Sequence, residues 1–342
     1  MRSAPLSLAT KAVATIEQSA GPDVVLCTDM LDVTCWLGLL SRINSPGANA
    51  ILKAPLAFYL HENQWTYPES PSAKIDHHFG YTNLTSAIAA DTCWFNSAFH
   101  QDDFLQACTD FIGRMPDSQD DHALGALRKK SNVLYPGFDL PTETNDRELN
   151  SNNPRNDESS EVDRPLKIGW VSRWEFDKRP DEFLRLLCLI DSRDVDFQLI
   201  LLGERKGKSK TLAEILRRFE DRILVADYAE TQTAYVKSLR HMDVVVSTAD
   251  HEFFGIAICE AIASGAAPVL PDRLSYRELV PNNERFETIE QAAEMVQKFT
   301  ERSQRMAAAK KAKDSIENFR AEQTVHVLDQ AIANLAAGQI SF

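Results

Sequence analysis

The chain has no apolar run approaching the roughly 18 to 20 residues that a membrane-crossing helix needs. Its opening, Met1-Arg2-Ser3-Ala4-Pro5, lacks an apolar stretch long enough for a signal peptide. Six cysteines (Cys27, Cys35, Cys93, Cys108, Cys188 and Cys259) include no Cys-x-x-Cys pair. That spacing argues against a zinc site or a disulfide framework and for reduced, mostly buried thiols in a cytoplasmic protein. A Gly-x-Ser-x-Gly elbow and a Walker loop are both missing, so serine-hydrolase and P-loop readings fail. Positive charge is also short: 37 Lys and Arg against 50 Asp and Glu give a net charge of -13. This disfavours a large nucleic-acid-wrapping surface but leaves room for local basic patches. Two exist, Arg128-Lys129-Lys130 and the segment 204–210, Glu-Arg-Lys-Gly-Lys-Ser-Lys, which follows a strand-end glycine.

What is present suffices for two domains with full cores: 342 residues, of which 44% are hydrophobic and 25% charged. Residues 141–164 are Thr, Asn, Ser, Asp and Glu with almost no apolar side chain, and read as a flexible linker. They separate an N-terminal domain, 1–140, from a C-terminal domain, 165–342, that ends in helices rich in Ala, Lys, Glu and Gln. Strands are expected at 23–27, 55–60, 92–95 and 132–135 in the first half. In the second they are expected at 166–171, 197–202, 222–225, 243–247 and 267–270. Helices are expected between them, at 82–90, from 97, and at 181–190, 212–219, 233–240 and 255–264. Strand–helix alternation of this kind predicts two parallel-sheet, Rossmann-like α/β domains.

The most informative segment is 250–261, Asp-His-Glu-Phe-Phe-Gly-Ile-Ala-Ile-Cys-Glu-Ala. It follows an apolar strand and therefore lies at the carboxyl edge of a parallel sheet, where α/β folds bind ligands. Gly255 permits close backbone approach, and the helix it opens aims its first N–H groups at the site, which suits a diphosphate. Glu252 and Glu260 are eight residues apart, about 12 Å along a helix. Carboxylates flanking one hydrolysed glycosidic bond lie roughly 5 to 9.5 Å apart. The spacing fits the two ends of one extended ligand better, a sugar at Glu252 and a ribose diol at Glu260. Read alone, the pair is also open to being a helix N-terminal acid and an unrelated helical acid. The neighbouring strand ends narrow this: Arg173 and Lys178 follow the first strand of the same domain, and Gly203-Glu204 ends the next. The two cations could clamp a diphosphate and take up its charge as it leaves.

In the first half, His61-Glu62-Asn63-Gln64 follows an apolar strand and precedes Trp65. The residues leave His61 open to capping the chain or facing a ligand. His77-His78 beside Asp76 suggest a metal, but no further ligand is spaced to complete a site, and none is expected.

Together these motifs resemble a known family. His-Glu-Phe-Phe-Gly with a second Glu eight residues after the first looks like the E-x7-E element of family-4 retaining glycosyltransferases. Arg173 and Lys178 match that family's diphosphate-binding pair. More narrowly, residues 58–64, Gly80-Tyr81, Phe95-Asn96-Ser97, Arg173-Trp174-Glu175 with Asp177-Lys178, Gly203-Glu204 and 251–255 resemble the tRNA-queuosine alpha-mannosyltransferases. The likeness runs from near residue 1 to about Pro281. It implies a GT-B architecture, two Rossmann-like domains facing a cleft. It also implies transfer of mannose from GDP-mannose, a substrate and not a cofactor, to queuosine in the tRNA anticodon, with retained configuration and no required metal. By carry-over, Glu252 holds sugar hydroxyls, Glu260 the ribose, and Arg173 and Lys178 the departing diphosphate. Gly203, Glu204, Phe253, Phe254 and Gly255 complete the donor side. His61 lines the donor–acceptor junction, and Glu62, Asn63, Asn96 and Ser97 stand on the acceptor side.

Two other readings stay in view: a family-4 transferase with a glycolipid or small-molecule acceptor, and a nucleotide-sugar-binding protein without turnover. The second is motivated by a departure. Family members begin with a strand and a Gly-Gly-Ser-His loop, and this chain has neither. The expectation is an N-terminal domain lacking its first strand-loop-helix unit, with Met1 internal to a longer reading frame or the domain truncated.

Overall fold

Short apolar runs bounded by polar turn residues become strands, and inner ones such as 92–95 and 244–246 are buried on both faces, because parallel sheets are covered by helices on either side. The computed structural model describes residues 4–18, 20–67, 77–115, 121–140, 164–204 and 209–339. The chain divides into two units, Met1–Pro136 with Glu322–Phe342, and Gly137–Ala321.

The first unit holds α1 (Ala4–Ile16), β1 (Val25–Thr28), α2 (Val33–Leu40), α3 (Pro46–Lys53), β2 (Leu56–Leu60), α4 (His77–Ala89), β3 (Thr92–Phe95), α5 (Ala98–Ile112), α6 (Asp121–Lys129) and β4 (Ser131–Val133). Its four strands run parallel in the order β1-β2-β3-β4. Phe58, Leu60, Phe95 and Phe104 fill the core beneath the helices. The expected helix at 82–90 begins earlier, at His77. Helices α2 and α3 are additions to the expected elements. Each has eight residues and starts on a side-chain cap, Asp32 accepting from Cys35 N and Ser45 from Ala48 N. Such caps satisfy amides that the first helical turn leaves without acceptors.

The second unit holds β5 (Leu166–Val171), α7 (Pro180–Asp191), β6 (Phe197–Leu202), α8 (Lys210–Arg218), β7 (Ile223–Ala226), α9 (Gln232–His241), β8 (Val244–Val246), α10 (Ile256–Ala263), β9 (Ala267–Pro271), α11 (Tyr276–Leu279), β10 (Arg285–Phe286), α12 (Ile289–Lys298) and α13 (Arg302–Ile316). The strands run parallel in the order β10-β9-β8-β5-β6-β7. Strand order reverses between β5 and β8, which pair through Ile168–Val244 and Trp170–Val246. At the amino ends of these two strands, buried Asp243 accepts from Arg164 Nη1 at 2.6 Å and from Lys167 N at 2.9 Å. Burial opposes its charge, but Arg164 and the amide outweigh burial and hold the carboxyl below its usual range.

One domain boundary needs correcting. The last helix, α14 (Ala321–Ala336), was expected within the C-terminal domain, yet from Glu322 on it belongs to the first unit. Leu335 packs with Ala57, Trp94 and Leu134, and Leu328, Ala331 and Ile332 join them. These apolar side chains lie one turn apart on one face of α14, and the sheet face carrying Trp94 supplies the surface that buries them. The expected linker, 141–164, lies outside the described residues apart from Arg164.

Candidate active site

Where strand order reverses, the loops leaving two neighbouring strands turn to opposite sides and open a crevice at the carboxyl edge. In the second unit the loops in question are 172–179 after β5 and 247–255 after β8. Lys178 joins them. Its side chain is buried, and Nζ donates to His251 O at 2.6 Å and lies 3.3 Å from Glu252 Oε2 and 3.2 Å from Asp177 Oδ2. Burial works against its charge, but Glu252 and Asp177 outweigh burial and raise its pKa. Removing the lysine would leave a buried and a partly buried carboxylate without their shared cation, a change of about 3 to 5 kcal/mol for a broken buried pair.

Further contacts immobilise the same loops. Thr248 Oγ1 donates to Lys178 O or Arg179 O, at 3.0 and 2.8 Å, and Asp250 N donates to Asp177 O at 2.8 Å. Arg179 occupies the left-handed region at φ 50°, which a side chain other than glycine rarely adopts. Its guanidinium bonds Asp250 at 2.8 Å and Asp181 at 3.0 Å, and Arg273 reaches Asp250 from the other side at 2.8 Å. Ser275 Oγ donates to Glu252 O or Phe254 O, each at 3.1 Å. Glu252 therefore stands on a backbone tied down on several sides.

His251 is buried and packs edge-on against Phe253 at 4.5 Å. Burial first, then the positive charges of Lys178 and Arg173, push its pKa down to about 4, so the imidazole is neutral near pH 7. Arg173 acts on the same spot while its Nη1 lies 3.0 Å from Glu175 Oε2. Gly255, at φ 93°, starts α10 in a conformation that favours glycine. Gly203 answers a different demand: a Cβ there would stand 2.1 Å from Ser172 O. The β5 and β6 strand ends are that close.

Beside them lies a cavity of about 510 Å³, lined by Arg173, Gly203, Glu204, Tyr228, Glu230 and Tyr235 among others. Glu260, on α10, meets it through Tyr235, whose hydroxyl donates to Glu260 Oε2 at 2.7 Å. Burial raises the Glu260 carboxyl and the Tyr235 bond pulls it back. Arg173, Lys178, Gly203, Glu204, Glu252, Gly255 and Glu260 thus all belong to loops or helices at one carboxyl edge. Phe253 and Phe254 differ. Both side chains are buried, Phe254 edge-on against Phe319 at 5.4 Å, so they shape the loop from below.

In the first unit the expected residues form one network at the carboxyl ends of β1, β2 and β3. Asp29 Oδ2 accepts from the amides of His61 and Glu62 at 3.0 and 2.9 Å, and Oδ1 lies 3.2 Å from His61 Nδ1. The Asp29 hydrogen bond is the largest influence on His61 and raises its pKa against burial. Asn63 is fully buried and donates to Asp103 at 2.7 Å; Asn96 donates to His61 O at 3.0 Å and meets His100 Nδ1 at 2.7 Å. Ser97 caps α5 by accepting from His100 N. Asn63 and Asn96 hold the 61–64 loop in place, Ser97 fixes the start of α5, and His61 and Glu62 are what that loop presents.

Sequence reasoning passed over Asp29, Arg179, Tyr235 and Thr248. Asp29 follows a strand directly, so the strand-end rule that selected Arg173 also reaches it. Tyr235 carries no such signal. Of the basic patches, Arg205 to Lys208 lie outside the described residues. Arg128 donates to Thr109, and Lys130 donates to the carbonyls of Ile88 and Ala90, so two of those three cations tie elements together. Among the described residues no three metal-ligating side chains cluster.

This arrangement has relatives. The family described as "Glycosyl transferases group 1" matches residues 152–322. The chain belongs to that family. A second family, described as "tRNA-queuosine alpha-mannosyltransferase N-terminal", matches residues 1–138. A tRNA-queuosine alpha-mannosyltransferase of Drosophila melanogaster is 31% identical over 232 residues, 67% of this chain and 60% of that protein. The chain thus spans less than two thirds of that relative's length. Among solved structures, Anabaena HepE in complex with UDP is similar at TM-score 0.66 and 18% identity, over 96% of this chain and 82% of that one. Sucrose-phosphate synthase of Thermosynechococcus elongatus is similar at TM-score 0.67 and 13% identity, over 97% and 79%. These likenesses show a GT-B fold. Among the described residues no helix is long and apolar enough to cross a membrane.

Proposed function

We propose that the chain is a cytoplasmic retaining glycosyltransferase that moves mannose from GDP-mannose to queuosine in a tRNA anticodon. The observation that carries this is the gathering of Lys178, Arg173, Glu252 and Glu260 at the switch point of the second sheet, beside a cavity of about 510 Å³. The two families matched, and the Drosophila relative's name, support the acceptor.

On this reading the diphosphate lies between Arg173 and Lys178, and the first amides of α10, which have no helical acceptor, face it. Lys178 has three N–H donors and exchanges its Glu252 contact for a phosphate oxygen, freeing Glu252 to accept from sugar hydroxyls. The C1–phosphate bond breaks while the acceptor oxygen bonds C1 from the same face, and the acceptor's proton passes to the leaving phosphate. The cations stabilise the charge that develops on that phosphate. Support for guanine comes from the carboxylates of Glu204 and Glu230 along the cavity. Guanine presents two adjacent donors that one carboxylate accepts together, whereas uracil presents a single N–H between two carbonyls.

Incubation with GDP-mannose and queuosine-containing tRNA is expected to add one hexose to the anticodon nucleoside, read by mass spectrometry. UDP- and ADP-sugars serve as controls. Binding of GDP-mannose without any hexose transfer would replace the enzyme by a nucleotide-sugar-binding protein.

A further inference from the structure

We propose that Tyr235 is a positioning residue for the donor: it holds one oxygen of Glu260 so that the other accepts from the ribose hydroxyls of a nucleoside diphosphate. The inference rests on the donor-site reading above and adds a residue to it. Three observations meet at this phenol. It donates to Glu260 Oε2 at 2.7 Å, it lines the cavity, and it sits in the first turn of α9. That turn is itself fixed, because Thr231 caps it by accepting from Ala234 N at 3.2 Å. A rigid element therefore places the hydroxyl.

The chemistry of the donor matters as much as its place. A glutamate carboxylate hangs on three rotatable bonds and, if unheld, must be ordered when the ligand arrives. A lysine or arginine would order it too, but by pairing with the charge that the ribose hydroxyls need. A phenol fixes the carboxylate and leaves the charge in place. Burial raises the Glu260 carboxyl toward its neutral form, and the Tyr235 bond opposes that. Burial and the adjacent carboxylate push the phenol far above its usual range, so it remains a donor.

The experiment separates this role from simple packing. Full-length wild type and Tyr235→Phe are titrated by calorimetry with GDP and with its 2′,3′-dideoxy analogue, which has no ribose hydroxyl for Glu260 to hold. Tyr235→Phe is expected to weaken GDP about fivefold to tenfold and to leave the dideoxy analogue within about twofold. In turnover the KM for the donor rises and kcat holds, the pattern of a contact made equally in ground and transition states. In a Glu260→Gln background the Phe substitution has no further effect. Equal losses for both ligands, or no loss for GDP, would overturn the inference and leave the donor site standing. A wild-type chain that binds none of GDP, UDP and ADP would overturn the donor-site reading, and this inference with it.

Discussion

The two sheets of this chain use their carboxyl edges differently. In the second unit the strands on either side of β5 were added in opposite directions, and the loops after β5 and β8 carry charged groups that face one another. In the first unit the strand order β1-β2-β3-β4 never reverses, and polar side chains at the carboxyl edge bond mainly to each other. Asp29, Asn63, Asn96 and Asp103 all serve to fix one loop, leaving His61 and Glu62 to meet anything outside. The comparison teaches that a strand-end polar residue is not yet a ligand contact. What distinguishes the two edges is whether the topology opens a crevice for the side chains to enter.

The sharpest way to break this contrast is to alter one carboxylate in the second unit. Glu252→Gln keeps the shape and removes the charge that we propose orients the sugar. It is expected to lower kcat by about a hundredfold to a thousandfold while GDP affinity changes little, as for loss of an electrostatic contact strongest in the transition state. Single-turnover transfer and GDP titration on the same preparation check this. Retention of wild-type kcat would remove Glu252 from the chemistry.

A second test concerns cores. Leu335 on α14 is buried against Trp94 and Leu134, so Leu335→Ala is expected to cost about 2 to 4 kcal/mol. That cost should fall on the first unit. Hydrogen exchange is expected to quicken in peptides spanning β2 and β3 and to stay slow across β5 and β8. Uniform loss of protection throughout would mean that the two units do not open separately.

Glu260→Gln should act more mildly, weakening GDP by roughly 1.5 to 3 kcal/mol, the range for one lost hydrogen bond to a charged group. Its kcat at saturating donor is expected to stay near wild type. A fall in kcat with unchanged affinity would exchange the assigned roles of the two glutamates.

Much of this was legible beforehand, for identifiable reasons. Strands such as 166–171 and 197–202 are continuous apolar runs whose meaning does not depend on partners. Glu252 and Glu260 share one short segment, so the sequence put both near one strand end; the separation of about 12 Å along a helix does not carry over, because Glu252 lies in the loop before α10. Tyr235 could not be paired with Glu260 in that way. It is 25 residues upstream on another helix, and only the packing of α9 beside α10 brings them together. The amphipathic face of α14 likewise declares a helix without declaring which core receives it. Eight-residue α2 and α3 offer barely two turns of periodicity, and their caps were the remaining signal.

The smallest expected effect sharpens the first unit's side of the comparison. Asp29→Asn keeps an acceptor for the 61–62 amides but removes the charge beside His61. The raised His61 pKa owes most to Asp29, so protonated His61 is favoured in the folded chain. The sign follows by linkage: stability from a raised pKa is complete below the unfolded value, near 6.5, and disappears as pH rises through the folded value. His61 is about half exposed, so solvent screening limits the contribution to under about 1 kcal/mol. Wild type is therefore expected to exceed Asp29→Asn in Tm most at pH 5.5 to 6, with the gap narrowing toward pH 8 to whatever the amide contacts alone supply. A gap that is constant over this range would show that Asp29 acts on the loop through its backbone contacts only, and that the charge on His61 takes no part.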